Sequence, residues 1–296
     1  LAFAHRYKPE VYTPIDLSTM ELLARTSLLL LPPDYAPFPL ALPTGLRAFA
    51  QAIAENANTR GIFRVSGSER VVEEFSRFYS YDSVHEASAS GRVLPDTLPV
   101  HITHTIHDVA STFKRHLSRL PGGILASPTL FNAMVAIHEK LDGPSTLPSA
   151  YRAWLRARLI ALAIDSIKSR CIRHVICAVF GLLNMIGRIT ELSPKESVDG
   201  RPLHPDHQFV NYRGLGVCIG PLLTNDPPLG PAQPTSGRLP FSWSSKLLRR
   251  PTQKAIDDAK AEEAKVRQAI VERAMLAAAV AEMLITHWRD VVLQLR

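Results

Sequence analysis

Gly61-Ile62-Phe63-Arg64-Val65-Ser66-Gly67-Ser68 sets one arginine between apolar residues and closes on a Ser-Gly-Ser turn. The turn leads into Glu69-Arg70-Val71-Val72-Glu73-Glu74-Phe75, whose pattern predicts a helix. Ser66 and Glu69 stand at capping-box spacing, where each side chain can satisfy a backbone N–H of the first helical turn. Arg64 falls just before that turn, where a loop can hold a side chain out toward a partner. On these residues alone its simplest reading is a solvated loop arginine.

Other candidate chemistry is thinner. His101, His104 and His107 recur every three residues beside Asp108. On a helix His104 and His107 could share a metal, but no glutamate completes a known pattern, and surface or first-turn histidines are the alternative. No Gly-x-x-x-x-Gly-Lys-Ser/Thr segment occurs, so a P-loop is not expected in this chain. Gly214-x-Gly216 imitates a dinucleotide fingerprint only superficially, since no strand pattern precedes it and Pro221 follows. A Gly-x-Ser-x-Gly nucleophile elbow is also missing.

The eight residues Gly61 to Ser68 resemble the signature loop of the RhoGAP domain, a module that accelerates GTP hydrolysis by Rho-family GTPases. Phe113-Lys114-Arg115-His116-Leu117-Ser118-Arg119-Leu120-Pro121 resembles that family's lysine-bearing helix and Leu-Pro turn. Gly214-Leu215-Gly216-Val217-Cys218-Ile219-Gly220-Pro221-Leu222-Leu223 resembles its late helix, which ends in Gly-Pro-x-Leu-Leu. The three segments stand in the family's order across residues 38–223. The resemblance implies that Arg64 is an arginine finger given in trans, carried on a loop that includes Gly61, Phe63, Ser66 and Gly67. It implies that Lys114 braces this loop and contacts the GTPase. It puts Arg119, Asn211 and Gly214 at or beside the GTPase-binding surface. The implied partner is a Rho-family GTPase in its GTP-bound state. That partner holds GTP and magnesium, so no cofactor or metal of this chain's own is implied, and the chain is an activator rather than an enzyme. Positioning and electrostatics dominate phosphoryl transfer, and a planar guanidinium can bond two phosphate oxygens at once where an ammonium cannot.

The chain departs from the family at three places. Ser118 stands where an arginine is usual, and Arg119 beside it projects about 100° further round an ideal helix. Gly214 stands where an asparagine is usual, with Asn211 nearly one turn earlier. Leu120-Pro121-Gly122-Gly123 replaces Leu-Pro-x-Pro. These departures leave two expectations open: a weaker or differently targeted GAP, or an adaptor that binds a GTPase or another protein without accelerating hydrolysis.

The elements that must position these residues read as helices throughout. Asp16 opens a helical pattern that runs through Leu28 to Pro32-Pro33, and residues 34–43 read as a proline-rich connector. Thr44 is expected to cap a helix with Leu46, Phe49, Ala50 and Ile53 on one face. Ile106, Val109, Ala110, Phe113 and Leu117 form one stripe with Lys114 at its edge. Ser127-Pro128 opens a further helix. Tyr151–Ile167 reads as a helix with Trp154, Leu155, Leu159 and Ala163 on its inner face. Ile172, Val175, Ile176, Val179, Leu183 and Ile186 follow at near-helical spacing in a stretch apolar almost all round, which reads as central. Gly214 and Gly216 suit close backbone approach. Thr252 is expected to cap the last helix, whose docking part is Met275–Leu295. The expectation is all-α, without strands: an N-terminal extension (1–37) and one multi-helix RhoGAP-like domain (38–296). Within the domain, 224–251 is an inserted loop and 252–296 the C-terminal helix.

The composition suits a globular protein: 46% hydrophobic and 21% charged residues are ordinary values. Cys171, Cys177 and Cys218 lie in apolar runs with no paired spacing, which suits free thiols in a reducing compartment. Neither of the two apolar runs Ser27–Pro33 and Ala274–Ile285 reads as spanning a bilayer. No signal peptide is visible, and a chain that starts at Leu1 reads as a fragment. A cytoplasmic protein is expected. The net charge of +7 and the Arg/Lys-rich stretch 152–173 suit either a solvated helix face or an acidic docking partner, including an anionic membrane surface met peripherally. No nucleic-acid motif accompanies them.

Overall fold

The computed structural model describes residues 27–80, 95–143, 147–193, 209–224 and 253–296. Its helices are α1 (Thr44–Glu55), α2 (Glu69–Phe78), α3 (Ile106–Ser118), α4 (Pro128–Asp142), α5 (Ser149–Asp165), α6 (Arg170–Leu192), α7 (Tyr212–Ile219), α8 (Gln253–Thr286) and α9 (Trp288–Leu295). A 3₁₀ turn, Gly220–Leu222, follows α7 directly. Among the described residues the fold is all-α apart from one two-stranded antiparallel pair, β1 (Leu28–Leu29) with β2 (Leu40–Ala41).

That pair corrects the strandless expectation. Leu28 is extended rather than helical, because the Pro32-Pro33 turn folds the chain back and lets Leu29 and Leu40 bury together. Residues 27–42 therefore join the same core as the helices. Leu42 is buried, and Trp288 donates to the Tyr35 carbonyl at 2.9 Å. Residues 16–26 of the expected first helix, the Thr252 cap and residues 225–251 of the expected insertion lie outside the described residues.

α6 is the spine. Fourteen of its residues are buried, including Val175, Ile176, Val179 and Leu183. By length and composition alone it could cross a membrane, but 67% of its apolar window is covered by the rest of the fold. Its Asn184 side chain donates to the Ile285 carbonyl at 2.7 Å, tying the spine to the end of α8. The C-terminal pattern forms two helices, broken at His287, and docking begins at Leu276 because Met275 is 67% exposed.

α7 lies against α8 at very short range. A Cβ on Gly216 would stand 2.7 Å from the Ala278 oxygen, and one on Gly220 2.7 Å from the Ala278 nitrogen. Gly214, expected to share that role, meets only Val210 and Asn211 side-chain atoms.

Two helix details differ from expectation. Pro43, not Thr44, occupies the N-cap of α1 and makes no side-chain bond there. α5 buries Ala157, Ile160, Ala161 and Ile164, leaving Trp154 and Leu162 about half exposed and Leu159 partly so. α5 is apolar on more than one side, so its neighbours α4 and α9 select the buried face. The basic stretch is likewise no uniform face. Arg156 is buried and paired with Asp142, while Arg173 pairs with Asp165 at 3.1 Å.

Candidate functional site

The Arg64 loop is built by two residues in the left-handed region. Gly61 has φ +70° and Phe63 φ +67°. An aromatic side chain rarely adopts such a φ, so the surroundings must hold it there. Ile62 and Phe63 are fully buried, and the Phe63 ring stands 6.3 Å from that of Phe113 on α3. The amides of Arg64 and Val65 both donate to the Gly61 carbonyl at 2.9 Å. The chain thus anchors two apolar side chains, reverses, and presents Arg64 at the surface.

α3 grips this loop on both sides of Arg64. Lys114 Nζ donates to the Phe63 carbonyl at 2.9 Å. Ser111 Oγ accepts from the Gly67 amide at 2.8 Å, and Asp108 Oδ1 from the Ser68 amide at 2.6 Å. Asp108, Ser111 and Lys114 are spaced by three, so one helix face carries all three contacts. The other carboxylate oxygen of Asp108 closes a capping box with Thr105, accepting from its amide and its hydroxyl at 2.7 Å each. Burial of Asp108 favours the neutral acid, but the bonds from Thr105 and Ser68 outweigh it and hold the pKa below the usual carboxylate value.

The Ser66–Glu69 capping box does not form. Ser68 occupies the N-cap of α2 and uses no side-chain bond there. Asp108 supplies the acceptor from another helix, and Glu69 turns to Arg115, which also bonds Glu73 at 3.1 Å.

α7 borders the same site. Burial raises the Cys218 thiol pKa while Lys114 and Arg64 pull it down, so both cations lie near that residue. Arg60 stacks over the Phe209 ring at 5.7 Å, joining the approach to the Arg64 loop with the approach to α7. Asn211 caps α7, its Oδ1 accepting from the Gly214 amide at 2.8 Å. Gly214 is half-buried and has no side chain to offer. Ser118 is exposed and donates back to the Arg115 carbonyl at 2.8 Å, while Arg119 is the half-buried C-cap of α3.

The structure therefore brings Arg64, Gly61, Phe63, Gly67, Lys114 and the end of α7 at Cys218 together; Ser66 stays in the loop without its expected cap. Sequence reading passed over Asp108, Ser111 and Arg115. The Thr105-x-x-Asp108 capping spacing was available as a signal for Asp108, whereas Ser111 and Arg115 carried none. His104 precedes the N-cap of α3 and packs on Phe75, so it does not share a helix with His107. No group of three or more His, Cys, Asp or Glu that could hold a metal occurs among the described residues.

Comparison with known proteins bears on the family and the fold. The RhoGAP domain family matches residues 43–228. The chain is 25% identical over 268 residues to the probable Rho-GTPase-activating protein 6 of Schizosaccharomyces pombe, covering 89% of this chain and 31% of that relative. It thus spans about a third of the relative's length. The crystal structure of human Rho GTPase activating protein 15 shares the fold at TM-score 0.50 and 13% identity, over 84% of this chain and 83% of the other. The matched segment contains the Arg64 loop, the α3 clamp and α7, and the chain belongs to the RhoGAP domain family.

Proposed function

We propose that this protein binds a Rho-family GTPase in its GTP-bound state and inserts Arg64 to accelerate hydrolysis. The carrying observation is the loop itself: an exposed arginine follows a buried Phe63 held in the left-handed region, and Lys114 holds the Phe63 carbonyl. Charge moves onto the oxygens between the β and γ phosphates as the bond breaks, and a guanidinium placed there stabilises it. Such an arginine is worth on the order of 10³–10⁵ in rate. GTP and magnesium belong to the partner, and this chain contributes charge and position only.

The test is single-turnover GTP hydrolysis by a panel of Rho-family GTPases. Wild type should accelerate at least one, and Arg64→Ala should lose about 10³-fold or more while still binding. A mutant as fast as wild type refutes the finger. Ser118 and Gly214 favour a second reading, an adaptor that binds without accelerating. Binding across the panel with no acceleration by wild type would select it.

The same proposal places the protein in the cytoplasm with peripheral membrane contact. Tyr151, Trp154 and Leu162 are exposed on α5, with Arg158, Lys168 and Arg170 exposed on or near it. Vesicles rich in phosphatidylserine should sediment the protein, and added salt should release it. Sedimentation insensitive to salt, or absent, counts against this contact.

A further inference from the structure

The three contacts from α3 do not all do the same thing. Lys114 holds the loop before Arg64, at the Phe63 carbonyl. Ser111 and Asp108 hold it after Arg64, at the Gly67 and Ser68 amides. Between the two grips the chain has only Arg64, Val65 and Ser66, all three exposed. A short segment fixed at one end swings, and one fixed at both ends has few conformations left. The second grip also needs the glycine: a Cβ on Gly67 would stand 2.5 Å from the Asp108 Cα and 2.8 Å from the His107 carbonyl oxygen. Loop and helix are in backbone contact there.

We propose that Asp108 and Ser111 are positioning residues that fix the direction of Arg64, acting through the Ser68 and Gly67 amides and without touching the GTPase or the nucleotide themselves. The proposal rests on the arginine-supplying reading above. Their effect falls on the hydrolytic step rather than on binding, because misplacing a catalytic group by about 1 Å can cost on the order of 100-fold while surface contacts persist. Asp108 has two separable duties. Its Oδ2 caps α3 through Thr105, and its Oδ1 reaches the loop. Ser111 has no part in the cap, so Ser111→Ala removes a loop contact and leaves the helix start intact.

The experiment compares wild type with Ser111→Ala, Asp108→Ala and Asp108→Asn. Three quantities are read: amide hydrogen exchange at Gly67 and Ser68 in the free protein, the single-turnover rate at saturating protein, and Kd for the responsive GTPase loaded with a non-hydrolysable GTP analogue. For Ser111→Ala, exchange at Gly67 should rise about tenfold or more and the saturated rate should fall about tenfold, with Kd within about twofold of wild type. Asp108→Ala should speed exchange at Ser68 and slow hydrolysis likewise. Asp108→Asn keeps an oxygen for the Ser68 amide and should recover most of the rate. Saturated rates equal to wild type in both Ser111→Ala and Asp108→Ala overturn the proposal, and so does a loss confined to Kd. A wild type that never accelerates hydrolysis, with both amides still protected, removes the underlying reading instead and takes this one with it.

Discussion

At the scale of single residues, the conformation of the Arg64 loop matters as much as its composition. Gly61 and Phe63 both have positive φ, and only the first is a residue for which that is easy. Phe63 is held there by full burial and by the Lys114 bond to its carbonyl. At Gly61 even a methyl group would strain the loop. The conformation is unsuitable, and a Cβ would stand 2.9 Å from Val65 Cγ2. Gly61→Ala should therefore cost roughly 1–3 kcal/mol, read as a lower urea midpoint, and it should also slow hydrolysis by displacing Arg64. An unchanged midpoint would show that the loop is softer than its φ values indicate.

At the scale of elements, the α7–α8 crossing positions one wall of the site. The two helices touch backbone to backbone at Gly216, with the 3₁₀ turn making a second such contact at Gly220. Gly216→Ala must push the crossing apart, since the nearest atom is a carbonyl oxygen that cannot rotate away. Overpacking of this kind costs about 1–3 kcal/mol, measurable by urea unfolding. Asn211 and Gly214 ride on the same helix, so binding to the GTPase should weaken as well. Stability lost without any change in Kd would mean that α7 contributes nothing to the partner surface.

At the scale of the whole molecule, the buried His174 and the half-buried His116 shape the response to acid. His174 Nδ1 accepts from the Ala41 amide at 2.6 Å, which joins the spine helix to β2 and needs that nitrogen unprotonated. Burial, then the nearby Arg170 and Arg173, push its pKa down to about 4, from an ordinary 6.5. Burial, Arg119 and Arg115 push His116 down to about 3. Both groups take up protons in the unfolded chain at a pH where the native protein resists them. Their share of stability is complete above about pH 6.5 and drains away as pH falls toward 4. The urea midpoint should fall between pH 7 and pH 5, before most carboxylates titrate, and His116→Phe should flatten that fall. A midpoint constant over this range would refute the assignment.

The sequence by itself determined the helices, most of their buried faces, and the family. Helical periodicity is local, and the three motifs are short runs whose chemistry stays readable wherever they land. It also determined that Arg64 precedes a turn and that Lys114 flanks an apolar stripe. Tertiary structure alone decided what depends on residues far apart in the chain. The grip of Asp108 and Ser111 on the loop joins residues about 40 positions apart, and the Lys114 bond to Phe63 spans 51. Local spacing favoured a Ser66–Glu69 box, yet a carboxylate from α3 took that place. α5 had apolar residues on more than one side, so only its contacts with α4 and α9 could choose which to bury. The β1–β2 pair was hidden for the same reason: two residues on each strand show no period, and only packing against the core holds them extended.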